Sequence, residues 1–300
     1  MPIVPRALAI GRENNMRAWS IRSREQWRLF TADPILYTKT RPELVLSPLL
    51  FIVAIATWAF VTSYFRIPIF VLPPPDRVLR SLITGLTIGF NNPQGFYYHA
   101  IYTVAEGLLG FLIGSIFGIM CGTAVALSRV VDRTLYPYII AFQALPKVAI
   151  APLFVIWFGF GLQPKIVITA IICFFPLLVN TISGIRSVEQ DRIDLARSLC
   201  ASQWQIFTKV TFPSSLPFIF AGLHMAVVLS LLGAIIGEFV GAQRGLGVLI
   251  LRLNFMMDIP GVYAVLIVLG VLGTAFHQSM RALEKKVVFW TSHEVRAVGA

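Results

Sequence analysis

Charge is what this chain has least of. Only 13% of its 300 residues are Asp, Glu, Lys or Arg, against 57% hydrophobic, and the mean hydropathy is +0.77. A water-soluble domain of this length would leave too much apolar surface uncovered, so the composition implies an integral membrane protein. Cysteine is scarce and dispersed. Cys121, Cys173 and Cys200 form no C-x-x-C pair and stand near no histidine pair, so neither a disulfide framework nor a metal site is supported. His224 and His277 fall within or at the ends of apolar runs and read as packed or interfacial side chains rather than ligands. No G-x-x-x-x-G-K-[ST] occurs and no lysine follows a glycine, so the chain has no phosphate cradle. No catalytic constellation stands out either. A cleavable signal is not visible: residues 1–43 are polar and Arg-rich, and the first apolar run starts near Leu44.

The charge that is present is unbalanced, with 25 Lys and Arg against 14 Asp and Glu, a net +11. In a soluble protein that excess would raise nucleic acid as a partner. Here the cations gather in tails and loops, where they set topology and meet anionic lipid, and no nucleic-acid partner is expected. The tail 1–43, with Trp19, Trp27 and Phe30 among its arginines, reads as a cytoplasmic segment. Residues 44–285 form the transmembrane domain and 286–300 a short cytoplasmic tail. Six spans are expected, near 44–65, 102–127, 138–158, 166–185, 218–240 and 262–283. Placing both termini inside the cell leaves most of the 25 Lys and Arg in inner segments.

Between the spans, Asp76 to Phe90 has an amphipathic helical pattern, Ser128 to Leu135 reads as a loop, and Gly159 to Lys165 as an outer turn. Gly241 to Pro260 is too broken to cross. Gly110, Gly114, Gly118 and Gly122 recur every fourth residue and make a smooth ridge for a neighbouring helix. The third span carries Gln143, Pro146, Lys147 and Pro152, a pattern that predicts a kink or break. Polar groups inside spans mark pathways or structural pairs. Gln143, Lys147, Asn180 and Glu238 are therefore candidate pathway residues. Their structural alternatives are Lys147 snorkelling or pairing with Glu106, interhelical hydrogen bonds for Gln143 and Asn180, and, for Glu238, a pairing with Arg244 or a cap on the Gly-Leu-Gly turn.

The longest polar break between apolar runs is residues 189–217, EQDRIDLARSLCASQWQIFTKVTFPSSLP. Ile193, Leu195, Ala196 and Leu199, then Trp204, Ile206, Phe207 and Val210, recur at three- and four-residue steps. Cys200-Ala201-Ser202 supplies a turn, Ser202 is placed to cap the second helix, and Pro213 and Pro217 are expected to stop it. The pattern predicts two short helices against the membrane, with Trp204 and Phe207 placed to enter a groove on another protein.

This stretch resembles the EAA loop of bacterial ABC-importer permeases, E-A-A, three residues, G, nine residues, I-x-L-P. Asp194-Leu195-Ala196 stands at E-A-A, with Arg197 following, Cys200-Ala201 begins at the glycine, and Val210-Thr211-Phe212-Pro213 stands at I-x-L-P. Cys where the family has Gly means a turn that avoids positive φ or tolerates strain. Further likeness lies in AFQALPKVAIAPLFVIWFGFG (141–161), FFPLLVNTISGIRSV (174–188) and GEFVGAQRGLG (237–247), which resemble the nitrate, sulfonate and taurine group and, in wording, members assigned to thiamine-precursor pyrimidines. The resemblance implies an all-α protein of about six transmembrane helices in the type I importer (MetI-like) permease fold, in the bacterial inner membrane. It also implies a second permease copy, cytoplasmic ATPases that bind ATP and Mg and dock on the EAA loops, and an extracytoplasmic solute-binding protein; the chain itself needs no cofactor. An ion-coupled transporter or channel using Glu238 and Lys147 is the alternative.

Overall fold

The computed structural model describes residues 43–89 and 92–290; the basic N-terminal tail and the last ten residues lie outside them. All regular structure among the described residues is helical. The chain divides into two units, residues 1–67 and 68–300. In the first, α1 (Glu43–Tyr64) is apolar around its whole circumference, and the hydroxyls of Thr57 and Thr62 donate to carbonyls one turn back.

The second unit holds the amphipathic α2 (Pro75–Thr87), α3 (Phe96–Leu127), α4 (Arg129–Ala144), α5 (Lys147–Phe158) and α6 (Leu162–Arg186). The short α7 (Gln190–Ser198) and α8 (Gln203–Ile206) follow, then a π-helical turn (Phe207–Thr211), α9 (Phe212–Gly241), α10 (Leu246–Phe255) and α11 (Ile259–Val287). Five of these helices among the described residues are long and apolar enough to cross a bilayer, or six if α4 and α5 count as one broken span.

The central element is α6, held between α3 and α9. The glycine ridge of α3 meets it: a Cβ at Gly110 would strike Thr169, at Gly114 the carbonyl of Ala170, at Gly118 Phe174 and Leu177, and at Gly122 Thr181. An adjacent face of α6 is met by α9 in the same manner, with Gly222 against Asn180, Gly233 against Thr169 and Gly237 against Lys165. Lipid tails are as apolar as leucine, so close backbone approach supplies the attraction that water would otherwise drive. The α11 helix closes against α9 through Ile219, Phe220, Val227, Met280 and Val288.

Two local expectations are corrected, and the expected break in the third span is located. Residues 128–135 are not a loop. Ser128 Oγ accepts from the Val131 amide at 3.4 Å and starts α4, and Arg186 holds Asp132 at 2.6 Å in its first turn. The break in the third span falls at Leu145–Pro146, where α4 and α5 meet at 92°; the residue before a proline avoids helical backbone, so Leu145 is extended. Pro213 and Pro217 do not stop the hairpin's second helix. The lost amide of Pro213 is absorbed by the π turn, where Phe212 N–H donates to the Phe207 carbonyl, and an unbroken helical segment runs from Gln203 to Gly241, 39 residues.

Gly114→Val is expected to lower stability by about 1–3 kcal/mol, because the methyls meet backbone that cannot yield. Gly270→Ala, where no atom lies within 4 Å, is expected to be neutral. Thermal unfolding of the two variants in detergent checks the contrast.

Candidate functional site

The hairpin at residues 189–211 is built from local rules. The first helix, α7, ends in a paired motif: Cys200 N–H donates to the Arg197 carbonyl at 2.9 Å and Ala201 N–H to that of Ala196 at 3.1 Å. That motif places Cys200 at φ 56, so the turn keeps the backbone that glycine favours. A side chain there costs roughly 1–2 kcal/mol. Ser202 then caps α8 in a reciprocal box, its Oγ accepting from Gln205 N–H at 3.3 Å while Gln205 Oε1 accepts from Ser202 N–H at 2.8 Å. Asp194 accepts from both Gln190 and Arg197 at 3.1 Å, which stiffens α7 from its exposed face. No residue of α7 is buried. Leu195, Leu199 and Trp204 are 64%, 75% and 72% exposed, an apolar surface on an otherwise polar hairpin. Phe207 is half-buried between Trp204 and Phe212, with ring centroids 6.0 and 5.9 Å away. Val210 is half-buried and Ile206 buried at the base, so the side chains point two ways: some anchor the hairpin, others are offered outward.

At the other end of α6, roughly 30 Å away along the helix, lies a buried polar centre that the sequence alone did not disclose. Lys165, expected in an outer turn, is inside the first turn of α6 and buried, with its ammonium on the Glu106 carboxylate of α3. Glu238 of α9 is buried one turn away along α3, on Thr103. Its Oε1 accepts from Thr103 Oγ1 at 2.6 Å and its Oε2 from the amide of Gly247. Thr103 Oγ1 in turn accepts from Leu246 N–H at 2.8 Å, and His99 Nδ1 from Gly245 N–H at 3.0 Å, which leaves the imidazole proton on Nε2, donated to the Pro93 carbonyl at 2.9 Å. Three consecutive amides at the start of α10 are thus taken by side chains of α3 and α9. Gly245, at φ +124, and Gly247, pressed on the Glu238 side chain, leave no space for a larger residue.

Glu238 therefore caps the Gly-Leu-Gly turn and is not paired with Arg244, which lies over the rings of Tyr98 and Tyr102 at 5.7 and 5.2 Å. Lys147 does not reach Glu106, whose partner is Lys165; it donates to the Gln143 carbonyl at 3.0 Å across the α4–α5 break and stands 5.0 Å from the Phe175 ring. Asn180 Nδ2 donates to the Pro176 carbonyl at 2.8 Å within α6. Gln143 and Lys147 thus meet at the α4–α5 break, while Asn180 bonds within α6 rather than between helices and Glu238 belongs to the buried centre beside α10. The missed pair had one legible trace: Glu106 is a carboxylate within a 32-residue apolar helix, which demands a cation or donor from a neighbour.

A multi-span helical bundle with a broken span and a protruding two-helix handle has the build of a transporter's membrane subunit. Residues 114–289 match the family described as "Binding-protein-dependent transport system inner membrane component", and the chain belongs to that family. It is 34% identical to a probable ABC transporter permease protein of Haemophilus influenzae, over 75% of this chain and 89% of that one. It is 31% identical to the formylaminopyrimidine transport permease protein ThiX of Halalkalibacterium halodurans (81% and 94% covered), and 32% identical to the taurine transport system permease protein TauC of Escherichia coli (78% and 84%). Its fold is shared with a chain of the MetNI methionine ABC transporter, at a TM-score of 0.56 and 19% identity over 70% of this chain and 97% of that one. The chain is thus a membrane-spanning permease subunit and not itself an enzyme.

Lys165→Met leaves the buried Glu106 carboxylate without its cation and is expected to cost about 3–5 kcal/mol. Adding Glu106→Gln is expected to restore much of that loss. A double-mutant cycle by thermal unfolding in detergent checks both; additive losses would contradict the pairing.

Proposed function

We propose that this chain forms the pathway of an ATP-driven importer and that the hairpin 189–211 is where a separate cytoplasmic ATPase grips it. The observation that carries the reading is the exposed apolar surface of Leu195, Leu199 and Trp204 on a hairpin whose second helix continues without a break into α9. Aromatic and aliphatic anchors of this kind dominate interfaces. A rigid continuation converts motion of the hairpin into tilt of a span, so ATP-driven closure of two ATPases on two permease copies moves the bundle between inward- and outward-open states. Both termini and the hairpin are cytoplasmic in this reading, and an extracytoplasmic binding protein delivers the solute. The taurine, aliphatic-sulfonate and formylaminopyrimidine relatives favour a small anion or heterocycle as that solute. Against the ion-coupled alternative stands the use of both Glu238 oxygens as acceptors within the chain.

Trp204→Ala is expected to leave the amount of permease in the membrane unchanged and to reduce ATPase captured on purification by about tenfold or more. Equal capture and equal uptake would overturn the docking role. The exposed Cys200 reports orientation. With Cys121 replaced by Ser, a membrane-impermeant maleimide is expected to label Cys200 in inside-out vesicles and not in intact cells; the reverse pattern would place the hairpin outside.

A further inference from the structure

A cavity of about 220 Å³ opens at the end of the bundle opposite the hairpin, walled by Tyr102, Phe160, Leu162, Lys165, Gln243 and Arg244. Its chemistry is one-sided. Two cations line it and no carboxylate does. Lys165 is neutralised from behind by Glu106, but Arg244 has no carboxylate partner among the described residues. Its guanidinium is held instead by the faces of Tyr98 and Tyr102 and by one N–H donated to Tyr102 Oη at 2.6 Å, which leaves most of its donors unused. The first turn of α6, at Leu162, enters the same cavity without a side-chain cap, adding positive potential from its unpaired amides. An arginine fixed by aromatic faces rather than by a counter-ion, beside a buried lysine, is pre-set to take an oxyanion in its fork.

We propose that this cavity binds a small oxyanion, a sulfonate, carboxylate or phosphate-type group, with Arg244 as its principal ligand, Gln243 and the α6 amides as further donors, and Tyr102 and Phe160 as the walls. The volume admits several heavy atoms beyond a single water, whose share of liquid volume is about 30 Å³. Resting on the reading as a permease with the hairpin inside, the site faces the exterior and meets the anionic end of an arriving solute; a lipid phosphate offers the same chemistry.

The test is a titration of the purified full-length chain in a non-ionic maltoside, read by thermal unfolding. Sodium methanesulfonate, matched in ionic strength by sodium chloride, is one arm, and short-chain phosphatidylglycerol the other. A saturable response is expected in the natural chain and in Arg252→Gln, whose residue does not line the cavity. Arg244→Gln is expected to weaken it by about tenfold or more. Gln243→Glu alters an exposed position, carries little folding cost, and is expected to weaken it likewise by placing a carboxylate in the cavity. Whichever arm shows the effect names the source of the oxyanion. No saturable response in either arm, or equal responses in both cavity variants and the natural chain, overturns the site. ATPase capture by the natural chain, measured in parallel, separates the two ideas: normal capture with no saturable anion response sinks the site alone, and loss of capture sinks the permease reading.

Discussion

A lysine buried against a carboxylate ties this bundle together. Lys165 on the central helix meets the Glu106 carboxylate of α3, and one turn away on α3 Thr103 holds Glu238 of α9. Burying those charges costs several kcal/mol for each ion unless every one finds a partner. That condition makes the arrangement selective: a slip of register would part Lys165 from Glu106 and Thr103 from Glu238. The glycine contacts along α6 then let the backbones close to the distance the charges require. Small residues permit the approach, and the polar centre decides where it stops.

The same centre locks a loop that would otherwise be loose. His99, Thr103 and Glu238 take the first amides of α10, so the Gly-Leu-Gly turn is part of the bundle rather than a tether. The two ends of α9 are thereby made unlike. One end is pinned by buried charge and hydrogen bonds. The other passes through a π turn into a hairpin with no buried residue in its first helix and three exposed apolar side chains. One continuous helical segment joins the exposed hairpin to the pinned end.

Much of the fold could be read in advance because the bilayer restricts the choices. Apolar runs of sufficient length, the glycine ridge and the proline pair at 146 and 152 each have one main structural meaning in hydrocarbon. The hairpin was legible for a local reason: capping box, turn and periodicity all lie within a few residues of one another. The continuation through Pro213 was not legible, because whether a proline ends a helix depends on whether its neighbours can shift to a π turn. Lys165 was misread as a loop cation since Gly159, Gly161 and Pro164 precede it, and only its depth against Glu106 reveals otherwise.

The linear order of residues was enough to establish a membrane-spanning helical protein, its approximate spans, the broken third one, and the two-helix handle between the fourth and fifth. Those follow from composition and short-range periodicity, which act over a few turns of chain. Which charge answers which was settled only in three dimensions. Glu106 and Lys165 are 59 residues apart, and Thr103 and Glu238 are 135 apart. No local rule links such positions; the packing of α3 and α9 on α6 does, because a charge removed from water must find its partner wherever the fold places one.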